Sequence, residues 1–237
     1  MNSSLKLDWC SFEAAKHAVL KWHYSHAMPS GKLTKIGVWE HGKFIGCVLF
    51  GRGANNSLGK PYGLSQLECC ELVRIALTKH EAPVTRIVSI AIKMLRKLSP
   101  GLKLIVSFAD TEQDHHGGIY QGGNWVYIGQ SKPADEYLVR GKRMHGRSMR
   151  ASYGTHIGKD FIKIVKGSTK HRYVMPLDEE TKQQVLKLSK AYPKRAKQAT
   201  GATSLKAEVQ RLPARSNNSE KLNKHEKVEH YGVEQQQ

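Results

Sequence analysis

A mixed α/β fold, a mostly antiparallel sheet flanked by helices, is the class this chain predicts, and three features carry that prediction. The segment KIGVWEHGKFIGCVLFGRG sets the turn Glu40-His41-Gly42-Lys43 between two apolar runs, the pattern of a hairpin. The segment APVTRIVSIAIKMLRKL puts Ile87, Ile90, Ala91, Met94 and Leu95 on one helical face behind Pro83 near its first turn. That helix separates the strand-like ECCELVRIALT from LKLIVSFAD and is long enough to cross over between parallel strands.

The remaining elements follow in chain order. Ser11 caps a helix with Ala15, Val19 and Trp22 at helical spacing, which delivers His23-Tyr24-Ser25-His26 to a loop. After the hairpin, the strand and the crossover helix, Pro100-Gly101 closes the helix and a buried strand ends in SFAD. DHHGGIYQGGNWVYIG reads as a loop or short helix leading into a strand at residues 125–128. Residues 141–150, GKRMHGRSMR, are basic and poor in apolar side chains; DFIKIVKGSTKHRYVMPL reads as a late hairpin and DEETKQQVLKLSK as a last helix. Composition changes after Pro193, so the expected organisation is one domain over residues 1–192 and a polar tail over 193–237.

Composition narrows the function. The 237 residues can bury one core, and 38 Lys and Arg against 20 Asp and Glu leave a formal charge of +18. A field of that size attracts polyanions. A membrane surface is the poorer candidate, because no stretch approaches the roughly 20 apolar residues of a spanning helix and no basic helix has a strong apolar face. The N-terminus has no continuous apolar run and does not read as a secretory signal, so the protein is expected to stay where it is made. Cys10, Cys47, Cys69 and Cys70 lack the spacing of a zinc or redox site and read as buried thiols of a reducing compartment.

Chemistry-bearing residues gather at the ends of these elements. Asp110 closes an apolar strand, a position suited to a base, a metal ligand or an N-cap. His23 and Tyr24, at a helix exit, supply titratable and hydrogen-bonding groups, or else a simple turn cluster. Tyr120, among glycines 117, 118, 122 and 123, could approach a flat ligand; Trp125 and Tyr127 read as core. A metal could be held by Asp110, His23 and His116, although the adjacent histidines 115 and 116 point apart on most backbones. Arg140, Lys142, Arg143, Arg147 and Arg150 have no acid between them and suit the phosphates of a duplex.

WHYSHAMPSGK, FGRGANNSLGKPYGL, CELVRIALTKHEAPVTRIVSIAIKMLRKL, SFADTEQDHHGGIYQGGNWVYIG and HRYVMPLD, in that order, closely resemble the Mom DNA-modification family of Mu-type bacteriophages, up to about residue 180. The resemblance implies a fold like that of the GCN5-related N-acetyltransferases. It implies an enzyme, expressed in the bacterial cytoplasm, that converts adenine N6 in phage DNA to a carbamoylmethyl (acetamido) form and so hides it from host restriction enzymes. It also implies a site built on Asp110, Tyr24, His23 and Tyr120, with acetyl-CoA as the suspected donor. The glycine-rich pyrophosphate turn of that superfamily is replaced here by HEAPVTR, which leaves the backbone of Val84 and Thr85 and the side chain of Arg86 to hold phosphate. The product joins nitrogen to a CH2 group where acyl transfer joins it to a carbonyl, so a metal such as iron, or a donor of glycinamide-like connectivity, is required as well. Two rival functions fit the same residues less well: an acetyl-CoA-dependent N-acetyltransferase acting on a protein or small amine, and a non-catalytic DNA-binding protein.

A chain ending near residue 195 is expected to modify DNA as the full chain does, because the tail cannot bury enough apolar surface to offset its ordering entropy. Modification measured on a truncated chain with native circular dichroism checks this; its loss there would count against the assignment.

Overall fold

The computed structural model describes residues 4–53, 57–113, 115–133 and 135–194, apart from the side chains at positions 145, 147, 148 and 151. Its elements are β1 (Leu5–Trp9), α1 (Phe12–Trp22), β2 (Leu33–Glu40), β3 (Lys43–Gly51), β4 (Cys69–Leu77), α2 (Val84–Leu98), β5 (Leu104–Asp110), α3 (Gly118–Gly122), β6 (Val126–Gln130), β7 (Asp135–Val139), β8 (Lys142–His145), α4 (Gly146–Tyr153), β9 (Ile162–Lys166), β10 (Lys170–Pro176) and α5 (Glu179–Leu186). The sequence-predicted tail lies outside the described residues from position 195 onward.

Local signals set most of these boundaries. The Ser11 side chain accepts the Ala14 N–H at 3.1 Å and starts α1. The β2–β3 hairpin turns on His41 and Gly42, both at positive φ, the turn geometry whose twist matches its flanking strands. Asp178 caps α5 by accepting the Thr181 N–H at 2.8 Å.

Seven strands form the main sheet in the order β1-β2-β3-β4-β5-β10-β6, and β4–β5 is its one parallel pair, bridged by α2. A second sheet has the order β8-β7-β9. On one face of the main sheet, α2 buries Ile87, Val88, Ala91, Ile92 and Leu95 in the largest core cluster. On the other, α1 lays Ala15, Ala18 and Val19 on Cys47, Leu49 and Ala76, while Val185 of α5 packs with Tyr62, Leu104, Val106 and Val174. The thiols of Cys47, buried, and Cys70, part-buried, are pushed up to about 12, chiefly by desolvation. No helix among the described residues is long and apolar enough to cross a membrane.

One expectation is corrected. The late hairpin does not form: β10 inserts between β5 and β6, whereas β9 joins β7 in the small sheet. The side chains explain the divergence. His171, Tyr173 and Val174 of β10 are all buried, which demands cover on both faces, but β9, Ile-Lys-Ile-Val-Lys, buries Ile162 and leaves Lys163, Ile164 and Lys166 exposed. The basic stretch 141–150 forms β8 and α4, and the small core beside it, Tyr137, Val139, Met149 and Ile162, is drawn from separate segments.

The turn before α2 is tied down by Glu40, 5% exposed at the end of β2, whose carboxylate accepts the N–H groups of Glu81 and Ala82, each at 2.8 Å. These bonds, that from Glu81 foremost, hold its carboxyl below the usual range. A depressed folded-state pKa contributes stability that is present above the unfolded value and lost as pH falls through the folded one. Glu40→Gln is therefore expected to destabilise the fold at pH 7, with a gap from wild type that shrinks as pH falls below about 4; urea unfolding at pH 7 and pH 3 measures both gaps.

Candidate functional site

Three parallel pairs join β4 to β5, Cys69 to Leu104, Cys70 to Ile105 and Glu71 to Val106, and then the strands part. In the gap, Ser107 Oγ lies 2.9 Å from the Leu72 carbonyl and 2.7 Å from Tyr120 Oη. Ser107 has one proton; given to Leu72, it leaves Tyr120 as the donor of the second bond. The Tyr120 ring stacks on Tyr173 at 5.0 Å and meets the edge of Trp125 at 5.2 Å. Burial pushes its hydroxyl up to about 12, so it stays protonated. The sequence allowed Tyr120 to lie against a flat ligand; at 8% exposure it is a core ring that fills the gap.

Strand alternation puts Asp110 and Phe108 on the face that α1 and α5 cover, opposite Ser107. Asp110 Oδ1 accepts the Ser168 hydroxyl at 2.8 Å and the Glu112 N–H at 3.0 Å, and Oδ2 lies 3.6 Å from the Lys170 ammonium. At the end of α1, His23 and Tyr24 sit ring to ring at 4.3 Å, and Tyr24 meets His115 edge-on at 5.3 Å. The Tyr24 ring is 46% exposed, so of the two sequence-chosen tyrosines it is the one open to a ligand. Its hydroxyl is raised first by desolvation and then by the charge of Asp110. His23 is depressed to about 4, chiefly by burial and then by Arg74, and is neutral at pH 7. Its Nδ1 accepts the Ser25 N–H at 3.1 Å, which assigns the ring proton to Nε2 and makes that atom a donor.

Sequence reasoning missed Arg74. Its guanidinium is part-buried and close enough to Tyr24 for their charges to interact, with Nη1 donating to the Val73 carbonyl at 2.7 Å and burial lowering its pKa. A lone cation inside the apolar run ELVRIAL was the available signal.

Across the sheet, α2 and α3 enclose a cavity of about 530 Å³ lined by Thr85, Arg86, Lys93, Arg96, Tyr120 and Trp125 among others. Pro83 starts α2 without a side-chain cap, and the first N–H groups bonded back to it are those of Arg86 and Ile87. The N–H groups of Val84 and Thr85 are thus without an intrahelical acceptor, as at any helix start. The expected phosphate-holding residues do converge at this end, with Thr85 and Arg86 on the cavity wall.

The expected DNA-contacting residues are divided by the fold. Arg143 is engaged: Nη1 lies 2.9 Å from Glu112 Oε1 and Nε 3.3 Å from Glu136, so the acids absent from its sequence neighbourhood arrive from elsewhere. Arg140 lies over the Phe161 ring at 5.2 Å, Lys142 and Arg150 are exposed, and the side chain of Arg147 is outside the described residues. Among the described residues no three His, Cys, Asp or Glu side chains converge as a metal-ligand set, so Asp110, His23 and His116 do not make one.

The pattern that defines the Mom protein family matches residues 4–194. The methylcarbamoylase Mom of Escherichia phage Mu is 26% identical over 155 residues, a match covering 63% of this chain and 64% of that protein, so the chain spans a little under two thirds of this relative. Among solved structures, FeeM, an N-acyl amino acid synthase from uncultured soil microbes, is 13% identical with a TM-score of 0.46, over 79% of this chain and 97% of that one. A Bacillus subtilis acetyltransferase in complex with CoA is 13% identical with a TM-score of 0.42, over 75% of this chain and all of that one.

Gly117 sets the start of α3 and so the place of Tyr120. Its φ is +81°, and a Cβ there would lie 2.3 Å from the Tyr173 ring. Gly117→Ala is expected to cost about 2–4 kcal/mol from left-handed strain plus overpacking. Gly141→Ala, at φ +80° with open space around it, should cost only the strain of about 1–2 kcal/mol. Urea unfolding of the two variants makes the comparison.

Proposed function

This chain belongs to the Mom protein family, and we propose that it is a DNA-modifying transferase that converts adenine N6 to the carbamoylmethyl form, acting on phage DNA in the bacterial cytoplasm and protecting it from restriction. The observation that carries this reading is the pairing of Tyr24 and Asp110 on one face of the β4–β5 gap with the α2 cavity on the other. An acceptor and a donor brought to opposite faces can meet there.

N6 inside a base pair is hydrogen-bonded, so the adenine must be extruded before anything can reach it. The exposed face of Tyr24 is the ring available to stack on it. The exocyclic amine is a poor nucleophile because its lone pair is delocalised, and a group that takes its proton as the bond forms is needed. Asp110 fits that part: Ser168 and Glu112 hold Oδ1, which orients Oδ2 as the accepting atom beside Lys170. His23, neutral with its proton on Nε2, serves as a hydrogen-bond donor. The charge of Arg74 acts on the Tyr24 hydroxyl, opposing the desolvation that raises it and so strengthening Tyr24 as a hydrogen-bond donor.

Acetyl-CoA is the donor we assign to the α2 cavity, where it would supply a two-carbon unit with CoA as the leaving thiol. Bonding the methyl carbon to N6 also takes a two-electron oxidant, such as an iron centre with its own oxidant, and the amide takes a nitrogen donor, both as further co-reactants. The cavity residues suit acetyl-CoA: free N–H groups at Val84 and Thr85 and the cations Arg86, Lys93 and Arg96 complement phosphates, and Trp125 and Ile119 line the apolar part. On the basic module, Lys142, Arg150 and Arg140 are the proposed contacts to duplex phosphates, with Arg143 fastening the module to Glu112 beside Asp110.

Mass analysis of nucleosides from DNA made alongside the protein tests the reading, which expects a carbamoylmethyl mass increment on deoxyadenosine. Asp110→Asn should abolish the increment while leaving circular dichroism and DNA affinity near wild type. Tyr24→Phe should lower the yield about 100–1000-fold, the range for removing one preorganised hydrogen-bond donor. Full modification by Asp110→Asn would make that carboxylate structural.

A further inference from the structure

A second, smaller cavity of about 70 Å³ opens on the Asp110 face of the main sheet, bounded by Leu58, Pro61, Tyr62, Phe108 and Arg172. Exposed Pro61 stands at its mouth and Tyr62, 3% exposed, at its floor. Both Tyr62 Oη and Arg172 Nε are sealed from solvent and have no hydrogen-bond partner among the described residues. The Arg172 guanidinium lies over the Phe108 ring at 5.6 Å, and no carboxylate pairs with it among the described residues. The Tyr62 oxygen lies close enough to the Arg172 guanidinium to interact with it, but the hydroxyl proton and the Arg172 Nε–H have no acceptor among the described residues, which is costly unless something accepts from them. The described lining, which also includes Ser57 and Val106, is positive, hydroxyl-bearing and apolar, with no carboxylate among the described lining residues. Desolvation holds the Tyr62 hydroxyl above its usual range, so it remains a donor even with Arg172 close by.

The cavity also has a defined place relative to the site. Lys170 pairs with Asp110 and Arg172 with Phe108, so the cavity lies two residues along both strands from the carboxylate, about 7 Å away on the same face. We propose that Tyr62 and Arg172 form an oxyanion site that holds a backbone phosphate of the polynucleotide whose base is presented to Tyr24 and Asp110. The source of the phosphate rests on the DNA-modifying reading; the site itself does not. Arg172 supplies charge and its Nε–H, and Tyr62 supplies a neutral O–H, the combination that distinguishes a bound phosphate from a loose counter-ion.

Tyr62→Phe tests this with little risk to folding, because the hydroxyl it removes has no acceptor among the described residues. Melting temperature should stay at or above the wild-type value. In the same protein, affinity for inorganic phosphate, read by calorimetry and by phosphate-dependent melting, should fall about tenfold, and anisotropy of a short single-stranded adenine oligonucleotide should show a similar loss. Arg172→Gln should abolish the phosphate response. A lower melting temperature for Tyr62→Phe with unchanged phosphate affinity would make Tyr62 a structural residue whose cavity holds water only. Loss of phosphate binding with unchanged oligonucleotide affinity would overturn the polynucleotide as the source. Tyr62-dependent phosphate binding in a protein that leaves deoxyadenosine unmodified would refute the proposed function but not the site; modified DNA without such binding would do the reverse.

Discussion

The separation of β4 from β5 after three residue pairs is the constraint on which the rest depends. A carbonyl released from a ladder inside a protein must find another donor, and Leu72 finds the Ser107 hydroxyl. Ser107 in turn receives Tyr120, whose ring is wedged between Tyr173 and Trp125 and cannot be withdrawn without opening the core. Continued pairing would have made an unbroken wall. Because the ladder stops, the strands leave an opening that Tyr120 fills, with the α2 cavity on one face of the sheet and Tyr24 and Asp110 on the other.

Electrostatics on the two sides of that opening differ in kind. On the α1 side, burial decides protonation: His23 is kept neutral beside Arg74, and Tyr24 keeps its proton beside Asp110. Low local dielectric makes each neighbour count for more than it would in water. Asp110 is held by a hydroxyl and a backbone N–H at Oδ1 and by the Lys170 ammonium at Oδ2. On the α2 side the charges are mobile cations on a helix surface around backbone N–H groups, an arrangement that tolerates a long, flexible polyanion.

The excess of positive charge is not spread evenly in its availability. Arg143 and Lys170 are spent on Glu112, Glu136 and Asp110, and Lys103 on Glu68. Of these, Arg143–Glu112 links the three-stranded module to the residues just after β5, Arg143–Glu136 lies within that module, and the other two pairs belong to the main sheet and its loops. Lys142 and Arg150 keep their exposure. The net charge therefore describes the attraction of the molecule for polyanions, whereas the ion pairs decide where a polyanion can settle.

What the sequence by itself determined was whatever local rules can set: the caps of α1 and α5, the hairpin at His41-Gly42, the amphipathic crossover helix, and Asp110 and Tyr24 at element ends. Each depends on residues a few positions apart, and the periodicity of apolar side chains records them directly. The ordered blocks from WHYSH to HRYVMPLD pointed in the same way to the Mom protein family. Only the tertiary structure decided that β10 leaves β9 to lie between β5 and β6, that Tyr120 is buried where Tyr24 is open, that Arg74 lies close to Tyr24, and that Arg143 is answered by Glu112. Those outcomes are set by contacts between residues tens of positions apart, where the choice of partner depends on which faces of other elements still need covering, a quantity no window of the chain contains.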